Sequence, residues 1–456
     1  MDVQSMITDL MGKSREALKV LEGYSQEQID AICKAACLGF KEKALEFSKE
    51  VVEETRLGHP EHKIIKNVTT PDGVWGAIKG QKSVGVIGED KEKGLVYIGQ
   101  PKGVVVVVAP TTNPNITVLC NAVFAIKGRN TCIICSHPRA KKTTQHTVDV
   151  MNAAMEKLGA PKNIIQVVPE ISVEITQAFM KAADVIIATG GMGMVKSAYS
   201  SGVPAYGVGA GNVQTLFDTD CNLEADIPQT IAGRAFDNGM VCACNQSAIL
   251  PRSMFDKALE IFKKNKAYVV EKEEEIDKIR KAIFPNGKHN PEMVGQFPTV
   301  IAKEAGISVP EDTSIIVVKG DSKKVGPLEL LCGEKMCPVL IAIPYDTWDE
   351  GIKICKSNLF YSGAGHSAVV YSNTRANIDK MAVQMPVCRL LVNQQGQGAA
   401  NAFGNNGLNS TSSLGCGSWG NNSIDENLTY KHLINVSRVS WVIPGITPPS
   451  DEELWG

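Results

Sequence analysis

Between residues 103 and 191, short runs of β-branched residues alternate with helix-length stretches, and this alternation constrains the fold more than any other feature of the chain. GVVVVVAP (103–110) leads into a helical stretch ending at Lys127, and NTCIICS (130–136) into a helix closed by Gly159 and Pro161. NIIQVVP (163–169) precedes a further helix, and ADVIIATGG (183–191) completes the series. Strands that are apolar on both faces belong in a parallel sheet covered by helices on either side, because parallel strands need long crossovers and helices supply them. The pattern predicts βαβ units of the dinucleotide-binding kind. The usual G-x-G-x-x-G is missing, since GVVVVVAP runs on into TTNPNIT. ATGGMGMVKSA offers a substitute, with glycines between a strand and a helix where backbone N–H groups can face a phosphate.

The flanking segments add a scaffold, a projection and a second α/β unit. Ser25 and Gln28 form a capping box ahead of a long helical stretch through Cys33, Leu38 and Phe47. From residue 82, KSVGVIGEDKEKGLVYIGQP reads as a hairpin around a charged turn. A second α/β pattern begins near residue 227, with a helix at PQTIAGRAF, strands at SAIL and TSIIVV, and a charged helical insertion between them. The later NQQGQGAANAFGNNGLNSTSSLGCGSWGNNS is too polar for a core and too long for an ordinary connection, so it is expected to line a site.

Composition narrows the function classes. With 456 residues, 43% hydrophobic content and a net charge of -2, the chain can form two or three domains with real cores. Its charges are interspersed and offer no basic face for nucleic acid, and the dense run EKEEEIDKIRK (271–281) reads as a solvated helix face. No apolar run approaches the roughly 18 residues of a membrane span, and the N-terminus lacks a signal-peptide pattern. A cytoplasmic protein with no membrane partner is expected. Its 13 cysteines then stay reduced and serve mostly as small buried residues. Cys132 and Cys135 form a CxxC, but it lies inside a strand with no second pair, and no metal site is expected.

Chemistry concentrates at GRAFDNGMVCACNQ, where Cys242 follows Asn238 and Gly239 at a tight turn. An exposed thiol beside backbone N–H groups is expected to have a lowered pKa and to attack a carbonyl as thiolate. Taken alone, Cys242 and its neighbour Cys244 compete with a plain packing role.

FDNGMVCACNQS resembles the nucleophile segment of the CoA-acylating branch of the aldehyde dehydrogenase superfamily. The likeness continues in order through APTTNP, KGRNTCIICSHPRAKKT, ATGGMGMVKSAYSSGVPAYGVGAGN, EKMCPV, GAGHSAVVYS and LGCGSWGNNSIDENLTYKHLINVSR, across essentially the whole chain. Within that branch it runs first to CoA-dependent succinate semialdehyde dehydrogenases. The resemblance implies the α/β aldehyde dehydrogenase fold: a Rossmann-like cofactor domain (1–82 and 101–226), an α/β catalytic domain (227–417), and an oligomerisation hairpin (83–100) joined by 418–456. A homodimer or homotetramer is expected.

Roles follow from the resemblance, position by position. Cys242 is the expected nucleophile, and the Asn113 side chain with the Cys242 backbone N–H is the expected oxyanion site. His366, in GAGHSAV, is expected to assist thiol attack. Glu334 would hold the cofactor ribose, while Thr112, Ser136, His137, Thr189, Gly190, Gly191 and Gly209 would lie along the cofactor. Arg139 would tolerate a 2'-phosphate, so both NAD and NADP are admitted. Arg234 is a candidate for receiving an anionic group. Gln397 and Asn401 are expected to shorten the acyl pocket and to offer N–H donors to an anion, which favours succinate semialdehyde or sulfoacetaldehyde over acetaldehyde or propionaldehyde.

One departure selects the acyl acceptor. Hydrolytic members carry a glutamate in a Glu-Leu-Gly-Gly-Lys segment to activate water, whereas this chain reads GVGAGN (207–212). Without that base, coenzyme A is the better nucleophile, because a thiol needs less help than water. The rivals are a hydrolytic enzyme and a non-catalytic assembly or binding protein. The intact set of Cys242, Asn113 and Glu334 disfavours the second.

Overall fold

The computed structural model describes residues 2–401 and 406–456, arranged around three sheets. The first has five parallel strands in the spatial order Ile165–Val167, Thr131–Cys135, Val104–Val108, Val185–Thr189 and Ala205–Val208. Its central strand, VVVVV, is buried on both faces. Val105 and Val107 pack with Phe124, Val148 and Met151 of the helices Pro114–Lys127 and Lys141–Glu156. Val104 and Val106 pack with Met6, Phe179 and Met180 on the opposite side. This two-sided burial is why the strand reads as a continuous apolar run. Cys132 faces the first of these cores and Cys135 the second, so the CxxC cannot close on one ion.

At the N-terminus the Ser25–Gln28 capping box opens the helix Gln26–Glu42, as its sequence indicates. The long helical stretch then divides at Lys43, and Ala44–Thr55 is a separate helix.

The second sheet has seven parallel strands in the order Ala267–Val270, Ile315–Lys319, Val339–Tyr345, Asn245–Pro251, Val213–Phe217, Gly365–Tyr371 and Val387–Val392. It begins earlier in the chain than the pattern suggests: Val213–Phe217 precedes residue 227 yet sits inside this sheet. Only residues 209–212 separate it from Ala205–Val208 of the first sheet, so the chain crosses between the two sheets through one Gly-rich connection. The third sheet is antiparallel. The hairpin Gly85–Asp90 and Leu95–Pro101 pairs with Ile434–Ser440, with Ile434 opposite Pro101 and Ser440 opposite Leu95. Residues Ile424, Leu428, Tyr430 and Leu433 pack into the core of the first sheet before this last strand. No helix among the described residues is long and apolar enough to cross a membrane.

In open α/β sheets, ligands bind beyond the carboxyl ends of the strands. Here those ends deliver Thr112 and Asn113, Ser136 to Arg139, Gly190 and Gly191, and Gly209 to one side of the first sheet. The same edge faces the second sheet, which carries Cys242 just ahead of Asn245–Pro251.

Candidate active site

Two buried hydroxyls on this ledge, Ser136 Oγ and Thr189 Oγ1, have no hydrogen-bond partner, and buried polar groups left unpaired point to a ligand. Gly191 caps the helix Met192–Tyr199, and open space surrounds Gly191 and Gly193, so the backbone there is accessible to a phosphate. A cleft of about 360 Å³ opens between Met192, Gly209, Ala210 and Trp419. His137 and Arg139 are exposed at the far end, where His137 Nδ1 accepts from the Arg139 N–H (3.1 Å) and Arg139 donates to the Thr55 carbonyl (3.0 Å). These residues fit a dinucleotide. The only grouping of metal-ligating side chains among the described residues is Glu46, Glu50 and His146. It is already engaged, Glu46 in an ion pair with Lys43 (2.7 Å) and Glu50 within 2.9 Å of His146 Nδ1.

The loop that carries Cys242 begins where the helix Leu223–Ala235 ends. Asp237, Asn238 and Gly239 take φ of 51°, 51° and 67°, three successive left-handed residues that reverse the chain and return it through Cys242 to the strand Asn245–Pro251. Asn and Asp tolerate this conformation better than other side-chain-bearing residues, but the run still needs outside support. Asp237 supplies part of it. The carboxylate accepts from the His59 N–H (2.9 Å) and pairs with Lys63 (3.0 Å) and Lys66, while its own N–H donates to His62 Nδ1 (2.9 Å). Asn238 donates to the Gly295 carbonyl (2.9 Å).

Arg234 supplies the rest, and this corrects its assignment to substrate. Its guanidinium is fully buried and donates to the carbonyls of Asn245 (3.1 Å), Gly239 (3.0 Å) and Cys337. It holds the two ends of the Cys242 loop together.

Cys242 lies half-buried against Gly211, where a Cβ would come within 2.0 Å of the Cys242 carbonyl oxygen. Gly211 in turn donates its N–H to Glu334 Oε1 (3.3 Å). The thiol pKa is raised rather than lowered: burial pushes it far up, the nearby Glu334 carboxylate adds to this, and Arg389 opposes it. Burial also raises Glu334, to about 7, against the pull of the Gly211 N–H and Arg234. Cys244 is buried with the apolar residues Val241, Ala243 and Leu250, and its Sγ contacts the Phe236 carbonyl (3.5 Å), a packing role.

Asn113 is the residue at which the helix Pro114–Lys127 begins. Its Oδ1 accepts from Lys66 Nζ (2.5 Å), and its Nδ2 lies 3.3 Å from Thr112 Oγ1. His366 is fully buried at the start of Gly365–Tyr371; Nδ1 is 3.0 Å from Ser367 Oγ and Nε2 is unpartnered. Burial first, then the Arg389 charge, holds it well below the ordinary histidine pKa.

Gln397 and Asn401 are buried in and just after the short helix Gly396–Ala400. Asn401 spends an amide N–H on the Thr411 carbonyl (2.8 Å), which takes that donor away from the anion it was expected to meet. Residues 402–405 of the same loop lie outside the described residues.

Sequence reasoning missed four residues here. Lys63 and Lys66 belong to no motif that the sequence singles out, and Asp237 lies in GRAFDNGMVCACNQ without a role of its own. Arg389 is buried in strand Val387–Val392 with no carboxylate partner among the described residues. It donates to Ser367 Oγ (3.0 Å), Asn427 Oδ1 (3.2 Å) and the carbonyls of His366 (2.8 Å) and Gly415 (2.7 Å). A charged residue inside the otherwise apolar VCRLLV is the one signal that could have flagged it.

The segment 207–212 explains the absent water-activating carboxylate in steric terms. A Cβ on Gly207 would sit 2.5 Å from Val195 and 2.8 Å from Tyr199, and one on Gly211 would strike Cys242. Neither position has room for a glutamate.

Comparison with known proteins agrees with this geometry. Residues 5–277 match the model of the aldehyde dehydrogenase family. The chain is 48% identical over 450 residues to a succinate-semialdehyde dehydrogenase (acetylating) of Clostridium kluyveri, covering 99% of each. It is 34% identical over 461 residues to a sulfoacetaldehyde dehydrogenase (acylating) of Bilophila wadsworthia, covering 99% of this chain and 98% of that one. A crystal structure of an acetylating aldehyde dehydrogenase from Geobacillus thermoglucosidasius superposes with a TM-score of 0.94 at 33% identity, covering 98% of both chains. A cofactor ledge, a buried cysteine turn and chain-long likeness converge: the chain belongs to the aldehyde dehydrogenase family, in its CoA-acylating branch.

Proposed function

We propose that Cys242 attacks a short anionic aldehyde, with the Asn113 amide and the Cys242 backbone N–H receiving the oxyanion and His366 assisting the thiol that releases the acyl group. The overall reaction is aldehyde + CoA + NAD(P)+ to acyl-CoA + NAD(P)H, the activity of the acylating relatives. When bound along Glu334 and the Thr189–Gly191 turn, NAD(P)+ would supply the hydride acceptor. The chain's own residues do the rest: Cys242 holds the acyl group as a thioester, and Glu334 and the Thr189–Gly191 turn support the cofactor. In the tautomer whose Nδ1–H donates to Ser367 Oγ, His366 keeps its Nε2 lone pair free to take the CoA thiol proton.

The observation that carries CoA as acceptor is the segment GVGAGN (207–212), which holds no carboxylate and whose Gly207 and Gly211 are packed too closely to accept one. One observation favours hydrolysis as a second reading: Glu334, raised to about 7, lies close enough to Cys242 to perturb its thiol. The cofactor ribose assigned to Glu334 argues against it.

For the substrate, the support is that the two acylating relatives are named for succinate semialdehyde and sulfoacetaldehyde, both of which carry a distal anion. Initial rates with succinate semialdehyde, sulfoacetaldehyde, acetaldehyde and propionaldehyde at saturating CoA test this. A kcat/KM at least about tenfold higher for the anionic pair is the expected result, and equal rates on the neutral aldehydes would remove the anion. We further place the enzyme in the cytoplasm as a homodimer or homotetramer. All described cysteines are free, and the outer edge of Ile434–Ser440 is left unpaired, followed by exposed Trp441, Val442 and Ile446.

A further inference from the structure

We propose that Lys66 is a positioning residue for the oxyanion site: its ammonium binds the carbonyl oxygen of the Asn113 amide, turns the NH2 toward the reacting carbonyl, and polarises it as a donor. This rests on the oxyanion role proposed above for Asn113.

Lys66 comes from the helix Pro60–Ile78, away from the cofactor ledge and the nucleophile loop, yet its side chain is only 4% exposed and contacts both. Nζ donates to Asn113 Oδ1 (2.5 Å) and to the Asp237 carboxylate. An ammonium has three donors and no acceptor, so the group it meets on Asn113 is the amide oxygen and cannot be the NH2. The ambiguity between amide O and N is thereby removed. The NH2 is left facing away from Lys66, with only the 3.3 Å approach to Thr112 Oγ1. An amide whose oxygen takes a charge-assisted bond places more positive charge on its N–H, and in a chain of hydrogen bonds each member strengthens the next.

The remaining contacts keep Lys66 in place and join the oxyanion donor to the nucleophile. Asp237 is fully buried, opens the left-handed turn that leads to Cys242, and is shared by Lys66 and Lys63 (3.0 Å). Lys63 also donates to the Thr112 carbonyl (2.8 Å), next to Asn113. The two lysines, one turn apart on one helix, thus hold the Asn113 segment and the Cys242 loop through a common carboxylate. Gly58 is packed so closely that a Cβ there would lie 2.2 Å from Asp237 Oδ1, which leaves the carboxylate no room to swing away.

The test separates a role at the oxyanion from support of the loop. Alkylation of Cys242 by iodoacetamide is a displacement at a saturated carbon and forms no oxyanion, whereas the first-turnover burst of NAD(P)H requires one. Both are measured for Lys66→Met and Asn113→Ala, with alkylation followed by mass spectrometry of the Cys242 peptide. Lys66→Met is expected to keep the alkylation rate within about threefold of the parent while the burst rate falls about tenfold or more, with KM for the aldehyde little changed. Lys66→Gln, which retains an N–H donor to Asn113 but no charge, is expected to fall between the two. It also serves as the reporter if Lys66→Met does not fold. A burst within threefold of the parent in both Lys66 variants, with Asn113→Ala inactive, would overturn the proposal. Equal losses of alkylation and burst would also overturn it and reduce Lys66 to loop support. A full burst in Asn113→Ala would instead refute the oxyanion assignment on which it rests.

Discussion

Cys242 sits in a field that disfavours its own thiolate, since burial and Glu334 both raise its pKa and Arg389 only partly offsets them. Replacing Glu334 with Gln removes a charge that raises the thiol pKa, so more thiolate is present at a given pH. Alkylation of Cys242 at pH 8 should then accelerate about tenfold for each unit recovered, and a slower rate would contradict the assignment. Cys242→Ala is expected to abolish NAD(P)H formation while Cys244→Ala retains it, because Cys244 only packs beneath the loop. For Arg234, replacement by Met should cost about 2 kcal/mol or more, read as a lower thermal midpoint, because three buried carbonyls lose their donor. At this scale the sequence pointed to candidate residues and not to the sign of their shifts. Cys242, Asn113 and Glu334 were singled out through resemblance, but the direction of the Cys242 shift is set first by burial and then by Glu334, both brought by packing of segments remote in sequence. The buried commitment of Arg234 depends likewise on Cys337.

The connection 209–212 is the element on which the two sheets meet, and its Gly211 is there for space. Gly211→Ala drives a methyl against the Cys242 carbonyl and is expected to lower kcat by about tenfold or more. Gly209→Ala meets only the flexible Met192 side chain at 3.4 Å and should be far milder, and a comparison of kcat for the two variants checks this. The helices and strands from Val104 to Thr189 were readable because burial on both faces leaves unbroken apolar strand runs between helix-length stretches. Val213–Phe217 was not assigned to the second sheet, since nothing in AYGVGAGNVQTLF marks where one sheet ends and the next begins. Ala267–Val270 was hidden as an edge strand within a charged segment. The left-handed turn at 237–239 was suggested by DNG but not its dependence on Lys63 and Lys66.

At the scale of the whole molecule, the unpaired edge and exposed apolar tail of the third sheet account for the proposed self-association. Trp441→Glu with Val442→Glu is expected to shift sedimentation equilibrium toward monomer, and an unchanged mass would place the subunit contact elsewhere. The central claim is that the acyl group on Cys242 goes to coenzyme A because the segment beside it, GVGAGN (207–212), carries no water-activating carboxylate. Steady-state NAD(P)H formation with and without CoA, with acyl-CoA quantified alongside, tests it most directly. Without CoA, a single burst of about one NAD(P)H per Cys242 followed by a rate reduced about a hundredfold is the predicted outcome, with stoichiometric acyl-CoA when CoA is present. Sustained turnover at the full rate without CoA would show that water is the acceptor.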